Sequence, residues 1–400
     1  MKILYSVQRY GDQIVGGSET ACRLFAEQLV QRGHEVDVLT SCAISYVDWS
    51  DHFKPGVETL NGVNVIRLPV EHTRDADTFS VVHQKMMDKV ESASLEDQHQ
   101  WLQEMGPILQ GHTKWLRENA TKYDAVVFMT YLYPTTVFGL SAVMELVPTV
   151  LQPTAHDEPP AHLSIYKSLF KMADSFLFLT EEEKEMVQNL YGVGEDGVVA
   201  GIGIDIKGGR VLPGAFRETA DLGDDPYLLY VGRIDVFKGV SELIRFFVEY
   251  KGRHPGKLRL VLAGEQVMEL PEHEDIVYVG FLDDEMKKSA IEGSIALVQP
   301  SPYESFSIVL CEAWMQERPV LVQAWSEVLK GQVRRSNGGL YYDGVLEFDA
   351  CLQFLEEKQD QSAELGRNGK QYVESMYSWD SVLTKFEFSV DQAIEQFKKR

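Results

Sequence analysis

Short apolar runs alternate with helix-length amphipathic stretches through this chain, and the alternation starts twice. The first start is Lys2 to Val7, a β-rich run. After it come the Gly16-Gly17-Ser18 turn, an apolar stripe of Ala21, Leu24, Phe25 and Leu29 ending near Gly33, and a second run at Val36-Asp37-Val38-Leu39. Strand, helix and strand in that order form a βαβ unit, whose strands lie parallel under a crossover helix. Further strand patterns follow at Ala125 to Met129, Thr149 to Leu151, Phe176 to Leu179 and Val198 to Ala200. The second start is Tyr227 to Val231, leading into a Gly232-to-Gly239 loop and a helix from Val240 to about Tyr250. Leu258 to Leu262, Val277 to Val279, Ile295 to Val298 and Val320 to Val322 continue that series. The predicted fold class is therefore α/β with two parallel sheets.

Four hundred residues exceed one ordinary core and suit two such domains. The predicted bounds are 1–206 and 207–378, with a glycine-rich, loop-like connection from Lys207 to Pro226. Residues 379–400 carry an amphipathic helix pattern (Val382, Leu383, Phe386, Phe388, Ile394, Phe397) and are predicted to pack back across the hinge. Asn61-Gly62 between two β-rich runs predicts a type I′ hairpin at a sheet edge. The stretch from about Val82 to Asn119 reads as polar and helical, hence exposed.

A net charge of −23 repels nucleic acid and anionic lipid over most of the surface. Neither is an expected partner, and membrane association is expected to be peripheral at most. No apolar run approaches the ~20 residues that cross a bilayer. The first seven residues read as a buried strand rather than a secretory leader. Cys22, Cys42, Cys311 and Cys351 form no paired motif and suit a reducing, cytoplasmic setting. Asn119-Ala120-Thr121 is then a chance sequon.

Four places carry candidate chemistry. Glu304 and Glu312 stand eight apart around a predicted helix start near Phe306. The free amides of Phe306, Ser307, Ile308 and Val309 and the positive helix end there suit a pyrophosphate. Glu304 can accept hydrogen bonds from sugar hydroxyls, and Glu312, about two turns in, from the two hydroxyls of a ribose. The bland alternative is a helix-start carboxylate and a solvated one. Arg233 and Lys238 sit on the glycine-bounded loop after a strand, where open α/β sheets bind ligands, and two cations there can stabilise a departing diphosphate. Gly16 and Gly17 allow close backbone approach to a ligand, or simply a tight βα turn. His156, in Gln152-Pro153-Thr154-Ala155-His156-Asp157-Glu158-Pro159, lies past a strand end, where it can bond a bound sugar or be a satisfied structural histidine. Neither the dinucleotide fingerprint nor the P-loop is present. Asp75-Ala76-Asp77 matches a metal-binding DxD, but 61 acids in the chain make chance matches common.

In this order along the chain, the four motifs resemble the retaining family 4 glycosyltransferases of GT-B architecture. Tyr377-Ser378-Trp379 before a last helix is similar as well. The resemblance implies two Rossmann-like domains facing each other across a cleft. It further implies transfer of a hexose-type sugar from a nucleoside-diphosphate donor to an acceptor, with retention of configuration and without a metal or other cofactor. Gly16 and Gly17 would then line the diphosphate and sugar, and His156 would contact the sugar. Arg233 and Lys238 would bind the pyrophosphate, Glu304 the sugar hydroxyls and Glu312 the ribose, with Gly264 and Phe281 at the base and ribose. Ser307 departs from the family's usual glycine, and Gln323-Ala324-Trp325 from its small-residue turn. A GT-B nucleotide-sugar epimerase and a binding protein without turnover are the alternatives.

Overall fold

A computed structural model describes residues 1–14, 16–206 and 214–400. The chain forms two compact units, Met1–Gly203 with Trp379–Arg400, and Ile204–Ser378.

The first unit holds an eight-stranded sheet, with β1 (Lys2–Ser6), β2 (Glu35–Ser41), β3 (Gly56–Leu60), β4 (Val63–Leu68), β5 (Ala125–Met129), β6 (Thr149–Gln152), β7 (Ser175–Phe178) and β8 (Val198–Val199). The order is β3-β4-β2-β1-β5-β6-β7-β8, and every pair is parallel except β3 with β4. Strands β5, β6 and β7 are buried at every position, so they read as unbroken apolar runs rather than alternating ones. The edge hairpin forms at Asn61-Gly62, where φ is 50° and 85°. Positive φ at both central residues is what a type I′ turn requires.

The polar stretch before β5 departs from expectation. It folds into three helices, Ala76–Met87, Leu95–Met105 and His112–Asn119, and Trp101, Leu102, Met105 and Leu116 join the same core as Val126 and Phe128. One apolar stripe per helix suffices to anchor it, although most of its surface is polar. Gln98 is buried as well, with its amide donating to the Ala93 carbonyl and to Ser164 Oγ. Asp75 of the DxD match caps the first of these helices, accepting from the Thr78 amide at 2.8 Å.

The last helix, Trp379–Lys398, packs on the first unit's β6 and β7. Trp379 meets Phe25 edge-on at 5.6 Å, and Phe386 stacks near Tyr5. Val382, Leu383, Phe386 and Val390 are buried, each contributing roughly 1.5–3 kcal/mol. Arg32 fastens the outer face through Asp380 and Glu387.

The second unit holds six parallel strands, β9 (Tyr227–Val231), β10 (Arg259–Ala263), β11 (Ile276–Gly280), β12 (Ala296–Gln299), β13 (Val320–Gln323) and β14 (Gly339–Tyr342), in the order β11-β10-β9-β12-β13-β14. In both units the first strand sits where the strand order reverses, β1 between β2 and β5, β9 between β10 and β12. Such a reversal opens a crevice at the strands' carboxyl ends.

The connection expected to be a loop contains the helix Gly214–Thr219. Phe216 buries against the Tyr227 ring, and Arg217 donates to the carbonyls of Gly223, Asp225 and Gly293, which hold a short polar segment helical. Residues 207–213, the rest of that expectation, lie outside the described residues. The strand β14 was not anticipated, because four residues after Asn337-Gly338 look like part of a turn.

Candidate functional site

In the second unit the site starts at β9. Gly232 and Gly264 end adjacent strands in backbone conformations of φ 157° and 137°, and a Cβ on Gly264 would overlap the Gly232 carbonyl. Glycine at 264 therefore lets the two strand ends close up. After Gly232 the chain turns through Val236–Lys238, where Asp235 accepts from the Phe237 amide at 2.9 Å. Asp235 also takes Arg233 Nε at 3.0 Å. Gly239, at φ 73°, lies against the Pro300 carbonyl and starts the helix Val240–Arg253.

The loop after β12 brings Glu304 to this turn. Lys238 Nζ lies 2.8 Å from Glu304 Oε1, with side chains 34% and 14% exposed. The expected helix start near Phe306 is corrected to Ile308. Ser307 takes φ 66° and ψ 80°, outside helical geometry, while the Phe306 ring turns inward against Tyr377 and its carbonyl accepts from Gln332. The helix then runs Ile308–Met315, so Ile308 and Val309 are its first-turn donors and Leu310 already donates to the Ser307 carbonyl. Trp314 fixes this helix, since its ring fills the space beside Gly369 and its indole donates to the Gly338 carbonyl at 2.8 Å. Glu312 is consequently about one turn in, not two. Its Oε1 lies 2.7 Å from Lys287 Nζ. Gly264 takes its place beside β11, its amide donating to the Gly280 carbonyl, and Phe281, just past β11, is 70% exposed.

The first unit treats its glycine turn differently. The helix Gly17–Gln31 begins directly after Gly16, and a Cβ on Gly16 would overlap the Glu19 carboxylate. That carboxylate is held by Arg9, whose Nε donates to it at 3.0 Å, with both side chains 6% exposed. Gly16 thus makes room for an internal ion pair, whereas Gly17 faces open space.

His156 follows β6 in a braced loop. Its Nδ1 lies 3.4 Å from Glu158 Oε1, which also accepts from Tyr131 Oη at 2.8 Å. Thr130 and Thr154 both adopt positive φ, and their hydroxyls meet at 3.1 Å. Beneath them the buried Glu183 accepts the amides of Ala155 and Leu179, each at 2.6 Å. Burial pushes this carboxyl up to about 8 against the three backbone bonds that favour its charged form.

The structure thus joins Lys238 to Glu304, sets Arg233 two residues from its partner Asp235, and packs Gly264 against Gly232. Arg9, Glu19, Glu183 and Lys287 escaped the sequence reading. Glu183 stands in a Glu181-Glu182-Glu183 run that looks like a solvated helix face, and Lys287 in an acidic helix start. The Lys287-Lys288 pair shortly after Asp283-Asp284-Glu285 was the available signal.

Residues 215–372 match the family model described as Glycosyl transferases group 1. Over 96% of both chains the protein is 25% identical to an uncharacterised glycosyltransferase of Methanocaldococcus jannaschii. Among solved structures it is similar to sucrose-phosphate synthase of Thermosynechococcus elongatus, at TM-score 0.73 and 19% identity, covering 98% of this chain and 99% of that one. It is equally similar to HepE of Anabaena, solved in complex with UDP and glucose, at TM-score 0.73 and 15% identity, again covering 98% and 99%. The GT-B expectation for the fold holds.

Proposed function

Because the chain carries a group 1 glycosyl transferase domain on a GT-B fold, we propose that it moves a hexose-type sugar from a nucleoside-diphosphate donor to an acceptor, with retention of configuration and without a metal. The observation that carries this reading is the Lys238–Glu304 contact at the strand-order reversal, beside Arg233 and the start of the helix Ile308–Met315.

Departure of a nucleoside diphosphate builds negative charge on its terminal phosphate. Arg233, Lys238 and the amides of Ile308 and Val309 supply fixed positive potential for that charge, which is the work a metal does elsewhere. In the free protein Lys238 is neutralised by Glu304. A diphosphate, carrying more charge than one carboxylate, competes for Lys238 and releases Glu304 to accept the sugar's hydroxyls. Glu312 takes the ribose hydroxyls, and Gly264 and Phe281 flank the base. The acceptor attacks the face the diphosphate leaves, and the departing phosphate takes its proton, so the configuration is kept. UDP-linked hexoses are the first donors to test, since HepE was solved with UDP and glucose.

The test combines a binding screen of UDP-, GDP-, ADP- and TDP-sugars with turnover of the best binder by wild type and Glu304→Ala. Binding by wild type, loss of most transfer in the variant and indifference to EDTA are expected. Full transfer by Glu304→Ala, or a rate abolished by EDTA, would contradict the reading.

A further inference from the structure

Lys287 lies in the first turn of the helix Asp284–Gly293, whose start is capped by Asp283. This helix follows β11 and leads back to β12, two strands that run parallel in one sheet. Its first turn is therefore at the carboxyl edge of the sheet, where the helix Ile308–Met315 also begins. The two helices pack together. There Lys287 Nζ lies 2.7 Å from Glu312 Oε1 and 3.2 Å from Asp284 Oδ1. The Lys287 and Glu312 side chains are 19% and 26% exposed, while Asp284 is almost fully solvated at 89%. Glu312 is the sheltered partner, and the bond to it is the shorter one.

A carboxylate offers about four lone-pair positions on its two oxygens. Lys287 uses one of them, on Oε1, and leaves Oε2 and the other side of Oε1 available. Vicinal hydroxyls bind best to a carboxylate whose plane is already set, because no rotamer freedom is then lost on binding. With one N–H given to Glu312 and one to solvated Asp284, the ammonium keeps a third donor, which suits an oxygen of the same hydroxyls as acceptor. Exposed Phe281 stands three residues before this helix, so a flat base and a diol would be met side by side.

We propose that Lys287 is a specificity-determining residue for the pentose: it sets the Glu312 carboxylate and completes a two-point clamp that selects ribonucleotides over 2′-deoxyribonucleotides. The proposal rests on Glu312 being the ribose-binding carboxylate. A pair serving only the fold would weaken every ligand alike, whereas a pentose clamp changes a ratio.

The experiment is calorimetric titration of the full chain with UDP, GDP and ADP, each against its 2′-deoxy counterpart. For the base that binds tightest, wild type should prefer the ribose form by about tenfold or more, the worth of a hydrogen bond to a charged group. Lys287→Met should weaken the ribonucleotide about tenfold, leave the deoxy form nearly unchanged and bring the ratio towards one. Lys287→Arg should keep most of the preference. A wild type that binds both forms equally, or a Lys287→Met protein that keeps the wild-type ratio, overturns the clamp while leaving the donor-site reading intact. Failure of wild type to bind any nucleoside diphosphate overturns both.

Discussion

The turns that follow β1 and β9 occupy the same topological place in the two units, yet they spend their positive charge differently. Each begins where the strand order reverses, and each runs through glycine into a helix. After β1 the cation is Arg9, buried with Glu19 at 6% exposure and donating also to the Ile44 carbonyl. After β9 the cations are Arg233 and Lys238, each about one-third exposed. One turn consumes its charge in holding itself together. The other keeps its charge within reach of solvent, which is what a site for an anionic leaving group needs. A shared position in the fold therefore does not make the two turns equivalent.

The comparison predicts opposite outcomes for removing each cation. The largest effect on folding falls on Arg9. Arg9→Met leaves Glu19 buried and unpaired, and should cost about 3–5 kcal/mol in denaturant unfolding of the first unit. A loss under about 1 kcal/mol would mean the first turn is not closed on itself. Lys238→Ala should instead change stability by about 1 kcal/mol, as for a partly exposed pair. Its cost is catalytic, with kcat lower by about 100- to 1,000-fold, the range for one donor facing developing charge. Equal melting losses for the two variants would erase the contrast.

A third effect, read against pH, concerns another buried acid of the first unit, Glu183. Its carboxyl has an ordinary value of 4.5 and is pushed up to about 8 by burial, so the folded state holds the proton more tightly than the unfolded chain. The stability it contributes is complete below about pH 4.5 and falls as pH rises towards 8, then stays level. Melting curves across that window should show wild type losing stability faster than Glu183→Gln, with the gap narrowing as pH rises. Parallel curves would show that burial is not the dominant influence on this group.

Several elements were legible from spacing alone. Asn61-Gly62 specifies its own turn because positive φ at both positions is a local preference. The runs Ala125 to Met129 and Tyr227 to Val231 are apolar throughout because both faces of a central parallel strand are covered. Arg233, Lys238 and Glu304 could be singled out as charges beside turns, and Glu312 as a charge inside the helix that follows. The buried stripe of Trp101, Leu102 and Met105 was missed because the surrounding polar residues hide a narrow anchor, and Gly214–Thr219 because its helix depends on bonds to distant carbonyls.

The amino-acid sequence by itself determined the two parallel sheets, the edge hairpin and the kinds of side chain placed at strand ends. These follow from backbone sterics and periodicity, which act over a few residues. Tertiary structure alone decided which charges are consumed and which stay available: Arg9 closes on Glu19, Lys238 meets Glu304 from 66 positions away, and Lys287 rather than water meets Glu312. It also moved the helix start from Phe306 to Ile308 by turning Phe306 into the core. The strength of a charge depends on its distance to partners and on its exposure, and neither quantity exists until the chain has folded.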